Sequence, residues 1–397
     1  MAALSFWTKA RRERLAGAVA VGILLSLLLA LISDSSSEGM FRRGDFPAFY
    51  AAGAIVLEGL SERLYDPTLQ AAIQQRHWPS LTGEFYAFAY PPFVAVLAAP
   101  LALLPAPVAK AVFSTMMIAA VLFAVLLLPR IRGELKDQLF SVGVLFAAFA
   151  PLTAGVLGGQ NTALSLLCYT ATFCLLLRRT PRSEFQAGLV LGCWCFKPHF
   201  LCIALLLLLA GGLLRPVLGA CIPMIFCYFI GAVVRGPAWP LEWAAIARDF
   251  AARDLLVNGQ QMVSIGASAA ALLEHFGIAV DSVAAAPLAV SIVLLLFTVA
   301  AVIRLRPTCS VLFTACLIGP TAVLMSPHTL FYDAAICLVP IVALLQVRTD
   351  RQATMLLLGI AAVFAVCLFR DQFVIQPLLL FPLWTLWLVF RKRVARV

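Results

Sequence analysis

Apolar residues in this chain come in long unbroken blocks. Residues 19–32, 116–128, 201–209 and 290–301 are almost entirely Leu, Val, Ile, Ala and Phe. About 20 such residues in a helix rising ~1.5 Å each cross the ~30 Å hydrocarbon of a bilayer. A helix also satisfies its own backbone hydrogen bonds, which lipid cannot do for it. The pattern therefore predicts an all-α integral membrane protein of many crossings, a single polytopic domain over residues 1–397. Most polar segments between blocks are short, and two are long: 34–88 and 235–282.

Composition agrees: 63% of the 397 residues are hydrophobic and 12% charged, against roughly a quarter charged in soluble domains. Basic residues cluster between blocks, at Arg130, Arg132 and Lys136, at Arg178, Arg179 and Arg182, at Arg215, at Arg304 and Arg306, and at Arg348 and Arg351. More lie before the first block, from Lys9 to Arg14, and in the tail from Arg391 to Arg396. Basic short loops stay in the cytoplasm, and one threading places all of these there, with about 12 spans and both termini inside. The first block reads as an uncleaved span, because Ser33-Asp34-Ser35-Ser36-Ser37 is a poor signal-peptide cleavage site. The stretch 89–106, opened by Tyr90-Pro91-Pro92 and closed by Leu104-Pro105, reads as re-entrant or surface-lying, since the later loops require one net crossing there. The net charge of +10 is then a collar facing anionic lipid, and no nucleic-acid partner is expected. The 11 cysteines lie in or beside apolar blocks and read as packing residues.

The outer side receives both long loops. In the first, 46–60 reads as an amphipathic helix, and Asp66-Pro67-Thr68 reads as an N-cap opening a second helix over 67–78. Such helices can lie flat at the interface, with Trp78, Phe85, Tyr86 and Phe88 at that level. In the second loop, 239–257 reads as a charged amphipathic helix and 265–276 as a weakly apolar piece.

Four polar breaks fall on the outer side under this threading. Asp45 follows the first block; a carboxylate there can act as a general base on a hydroxyl, or can simply cap a helix starting at Phe46-Pro47. Gly158-Gly159-Gln160-Asn161-Thr162 makes a tight turn between blocks, whose amides can also bind sugar hydroxyls or phosphate. Lys197, before Pro198-His199, is a lone cation that suits a phosphate or snorkels at a helix end. His328, in Ser326-Pro327-His328, can donate to phosphate, relay a proton or play a structural part. No P-loop, Gly-x-Ser-x-Gly or metal-ligand spacing of His77, His199, His275 and His328 occurs, so no metal or cofactor is expected.

The chain resembles the family-87 glycosyltransferases of the GT-C superfamily. The resemblance runs through Asp45-Phe46 with Tyr50, Leu64-Tyr65-Asp66, Tyr90-Pro91-Pro92, Gly159-Gln160-Asn161, Lys197-Pro198 and Ser326-Pro327-His328. After Asp333 it continues only as hydropathy. It implies a GT-C-type multispanning helix bundle with surface helices in the first outer loop. It also implies a polyprenyl-phosphate sugar donor, commonly mannose, a glycan or glycolipid acceptor, and work on the outer (periplasmic) face of the cell's inner (plasma) membrane. Asp45 would be the general base, Lys197 and His328 would meet the donor phosphate, and Tyr50, Tyr90, Gln160 and Asn161 would line the substrate site. A transporter or flippase of a lipid-linked sugar, a lipid-linked glycan polymerase or ligase, and a non-catalytic relative are the alternatives. A transporter would carry ionisable groups at mid-span, where this chain has few, Lys110 being the main exception.

Overall fold

The structure is a computed structural model that describes residues 44–79, 81, 85–278, 285–307, 310–344 and 373–394, with isolated positions between 359 and 367. The expected first span and the basic residues Lys9–Arg14, Arg348 and Arg351 lie outside the described residues. In chain order the helices are α1 (Phe46–Leu57), α2 (Pro67–His77), α3 (Pro92–Ala102), α4 (Ala106–Leu127), α5 (Leu139–Ala148), α6 (Ala150–Leu157), α7 (Thr162–Leu176) and α8 (Pro181–Gly192). They continue with α9 (Pro198–Ala210), α10 (Leu214–Arg235), α11 (Trp239–Asn258), α12 (Ile265–His275), α13 (Ala285–Leu305), α14 (Val311–Met325), α15 (Leu338–Leu344) and α16 (Leu380–Val394). Among the described residues the β-type pairing is the single bridge between Met262 and Leu330.

Among the described residues, three helical stretches are long and apolar enough to cross a bilayer alone: Ala106–Arg130, Leu214–Arg235 and Leu288–Leu305. Their outward residues, such as Leu122, Phe123, Phe226, Phe229, Leu296 and Phe297, are exposed Leu, Ile and Phe. This is the arrangement that lipid rather than water favours. The remaining apolar helices run 10–17 residues. Crossing by these requires consecutive pieces in series, so length and apolarity alone carry fewer spans than the 12 that hydropathy and charge suggest. The 11 residues of α3 reach about 17 Å, well short of the hydrocarbon thickness.

Small residues set the close approaches. Gly188 and Gly192 lie one turn apart on α8 and meet α10, where a Cβ on Gly188 would stand 2.0 Å from the Pro216 carbonyl oxygen. That spacing of small residues is how helices without a hydrophobic drive between them pack in lipid. α4 packs on α7, α9 on α14, and α6 against the 3₁₀ segment Phe331–Cys337.

The first long polar loop departs from expectation. α1 is not a surface-lying amphipathic helix: every residue from Phe46 to Ile55 is buried. Its Ala- and Gly-rich sequence presents almost no polar face, and α3 lies so close that a Cβ on Gly53 would meet the Ala98 carbonyl at 2.7 Å. α2 keeps an exposed face and buries Gln70, Ile73 and Gln74. Gln70 and Gln74, four residues apart on one helix face, act as backbone surrogates. Gln70 Oε1 accepts from the Phe88 amide at 2.9 Å. Gln74 Oε1 accepts from the Tyr86 amide at 2.8 Å, and its Nε2 donates to the Tyr86 carbonyl at 2.7 Å. The extended chain leading to Tyr90 is fixed in this way, and the Tyr65 hydroxyl completes it by donating to the Tyr90 carbonyl at 2.9 Å.

Candidate active site

The turn between α6 and α7 grips the segment Gly44-Asp45-Phe46. Gly44 has φ +130°, and a Cβ there would sit 1.6 Å from the Gly158 carbonyl oxygen. Gly159 has φ +70°, and a Cβ would sit 2.6 Å from Phe46 Cβ and 3.0 Å from Lys110 Nζ. Both positions need glycine on conformational and steric grounds. The side chain of the next residue, Gln160, lies against the Asp45 carboxylate and favours its ionised form, and the Asn161 side chain lies against the Tyr90 hydroxyl. Four consecutive turn residues therefore each hold a residue of the first loop or its exit.

Asp45 occupies the N-cap position of α1, yet its side chain makes no capping bond. The backbone carbonyl alone performs that task, accepting from Ala48 at 2.9 Å and Phe49 at 3.2 Å. The carboxylate is left for other work. Burial raises its pKa from the ordinary 3.8 to about 6, with Asp254 and Asp333 also raising it and the Gln160 amide and Lys197 opposing. A carboxylate poised near 6 is a stronger proton acceptor than a solvated one while still ionised at neutral pH.

Lys197 ends a 3₁₀ turn, Cys193–Phe196, and precedes Pro198 at the first turn of α9. Its Nζ lies 2.5 Å from Asp333 Oδ1, and both side chains are buried. The Thr162 hydroxyl donates to the same carboxylate oxygen at 2.9 Å. The expected lone cation is thus half of an ion pair. An ammonium has three donors, so the pair leaves Lys197 hydrogens for a second anion.

His328 sits in the loop 326–330, where Ser326 Oγ donates to its carbonyl at 3.1 Å. Its Nδ1 is 3.2 Å from Asp254 Oδ2. Burial pushes the imidazole below its ordinary value, and Asp254 and Asp333 push it back up.

The placement separates the predicted residues. Asp45, Gln160, Asn161, Tyr90, Lys197 and His328 share one region: Asp45 feels Lys197 and Asp254, Tyr90 feels Asp45, and His328 feels Lys197. Tyr50 is different. Its hydroxyl donates to the Leu104 carbonyl at 2.9 Å, and its ring packs edge-on against His77 and Trp78. In this structure Tyr50 ties α1 to the end of α3. Lys110, left unassigned by hydropathy, lies 5.5 Å from the centre of the Phe46 ring.

Two acids went unassigned in the sequence. Asp333 had a signal, since it is the lone Asp, Glu, Lys or Arg between residues 311 and 344, and such a charge asks for a partner. Asp254 had none, because it stands in the charged run Arg248-Asp249-Phe250-Ala251-Ala252-Arg253-Asp254. Among the described residues, Gln160 Oε1, Asn161 Oδ1 and Lys110 Nζ are buried without a hydrogen-bond partner. Native proteins rarely leave such atoms unserved. Two acceptors and a cation beside a raised carboxylate form a polar cluster able to take hydroxyls and an anion.

Comparison with curated proteins and with solved structures brings no match. Comparison with protein families matches residues 88–327 to glycosyltransferase family 87. The match takes in Tyr90, Gln160, Asn161, Lys197 and Asp254, while Asp45 and Tyr50 precede it and His328 and Asp333 follow. It spans more than half of the 397 residues, so the chain belongs to glycosyltransferase family 87 and is a membrane glycosyltransferase.

Proposed function

We propose that this enzyme moves a hexose, mannose foremost, from a polyprenyl-phosphate donor to a glycan or glycolipid acceptor. The reaction takes place on the outer face of the plasma membrane, periplasmic in a cell with two membranes. The observation that carries the reading is Asp45: a carboxylate relieved of capping, held by the Gln160 amide and raised to about 6. The acceptor hydroxyl gives its proton to Asp45 as its oxygen attacks the anomeric carbon. The bond to the donor phosphate breaks in the same displacement, so the configuration inverts. The leaving phosphate keeps the bonding electrons, and its charge is met by donors already in place, which is where such sites gain most of their rate. Lys197, oriented by Asp333, and His328 supply those donors. Gln160, Asn161 and Tyr90 offer partners to sugar hydroxyls. The outer-face assignment rests on the basic loops. A prenyl tail needs no soluble pocket, because the outward faces of the long helices are already lipid-like.

The test is transfer by the purified full-length enzyme in lipid vesicles, given a synthetic polyprenyl-phosphate mannose and, separately, a nucleotide mannose. Transfer from the lipid donor alone, with inverted anomeric configuration in the product, is expected. Transfer from the nucleotide sugar without any lipid donor would overturn the donor assignment, and a retained configuration would overturn the direct displacement.

A further inference from the structure

The second long polar loop has no part in the mechanism so far, yet it is built onto the His328 loop at several points. α11 presents Phe250 and Asp254, four residues apart and so on one face. The Phe250 ring packs edge-on to the His328 imidazole at 5.3 Å, and Asp254 Oδ2 stands 3.2 Å from its Nδ1, at ion-pair distance but not aligned as a hydrogen bond. Beyond α11 the chain is sewn to the same loop. The Val263 amide donates to the Thr329 carbonyl at 2.9 Å, and Met262 pairs with Leu330. The imidazole is therefore gripped on its face by an aromatic ring and at one nitrogen by a carboxylate.

We propose that Asp254 is the positioning residue of His328: its carboxylate accepts the Nδ1 proton, so the ring offers Nε2 to the anion of the donor. This rests on the reading of His328 as a donor-phosphate group. A neutral imidazole carries one proton and two candidate nitrogens, and the partner of one nitrogen decides the state of the other. A carboxylate at Nδ1 also stabilises the imidazolium, the form that meets a phosphate best. The charged and titratable groups around His328 are Asp254 from α11, Asp333 from the segment 331–337, and Lys197 and His199 from the start of α9. Of these, Asp254 is the one placed against a ring nitrogen. The same carboxylate lies within electrostatic range of Asp45 and raises it. Asp254 thereby couples the base to the phosphate group.

The chain has four histidines, so the His328 ring can be followed by NMR of full-length, histidine-labelled enzyme, with H328Q giving the assignment. The wild-type ring is expected in the Nδ1–H form when neutral. In D254N the amide both donates and accepts, so the tautomer preference is lost and the titration midpoint falls to lower pH. D254E restores both, and the D254E/D254Q pair supplies the same comparison if D254N fails to insert. An unchanged tautomer and midpoint in D254N overturn the proposal. That readout needs no substrate, so it stands apart from the donor assignment. In the transfer assay D254N loses about tenfold in kcat/KM, as partners that orient functional histidines do. Its pH profile moves acidward on both limbs, because Asp45 and His328 both lose a raising charge. In an H328Q background D254N costs less than in the wild-type background, the remainder being its lost charge near Asp45; an equal loss in both backgrounds also overturns the proposal.

Discussion

Two aspartates begin helices in the first long polar loop, each with proline in the first helical turn. Asp66 behaves as such a sequence predicts: Oδ1 accepts from the Thr68 amide at 2.9 Å and the Leu69 amide at 3.3 Å. Its other oxygen takes Arg63 at 2.6 Å, and Arg63 foremost holds the carboxyl below the ordinary range. Asp45 sits at the same position of α1 and caps nothing with its side chain. Its carboxylate turns to Gln160 and is raised. One local grammar yields a satisfied structural acid paired with Arg63 and a second, raised acid, although both are half-buried. The difference is made from afar, by the turn 158–161, which supplies the Gln160 side chain and lets Gly44 pass. Capping propensity alone cannot tell the two apart; the partner 115 residues further along the chain does.

The widest separation should come from removing each carboxylate charge. Asp45→Asn is expected to insert normally and lose at least about 100-fold in transfer rate, as general bases do. Next comes the support of that difference. In Gly44→Ala the new Cβ would collide with the Gly158 carbonyl and the backbone would be strained by about 1–3 kcal/mol. A lower melting temperature together with a fall in activity of about tenfold or more is expected from that range. A smaller and more diagnostic effect is in the pH profile. Wild-type kcat/KM should climb as pH rises through about 6, as Asp45 deprotonates. Gln160→Leu removes an interaction that favours the ionised form, so its climb should lie at higher pH. A profile that stays in place would remove Gln160 from the account of Asp45. The smallest effect should be Asp66→Ala, which lowers the melting temperature slightly and leaves the transfer rate within about twofold of wild type, in keeping with the loss of a surface cap.

What the sequence revealed divides along the same line. Local rules found Asp66 and its helix, the glycine-containing turn 158–161 and the break at Lys197-Pro198, because caps, turns and proline stops are written in adjacent residues. The burial of α1 was missed because apolar residues on a half-polar-looking loop suggested an interface, and only the close approach of α3 shows otherwise. Tyr50 was read as lining the substrate site, and its hydroxyl donates to the Leu104 carbonyl. Lys197 was read as a free cation, while Asp333, 136 residues later, pairs with it. Asp254 stood among other charges of an amphipathic helix, and nothing local distinguished it. Long-range pairing decides each of these cases, and a single sequence carries no record of it.

The most direct measurement is the transfer rate of Asp45→Asn beside Asp66→Asn, each purified full-length and reconstituted with the same polyprenyl-phosphate mannose and acceptor. Both substitutions neutralise a carboxylate at a helix start without changing its size. The account predicts that Asp45→Asn is inactive to within about a hundredth of wild type while Asp66→Asn keeps nearly full activity. Full activity in Asp45→Asn, or equal losses in the two, would contradict it.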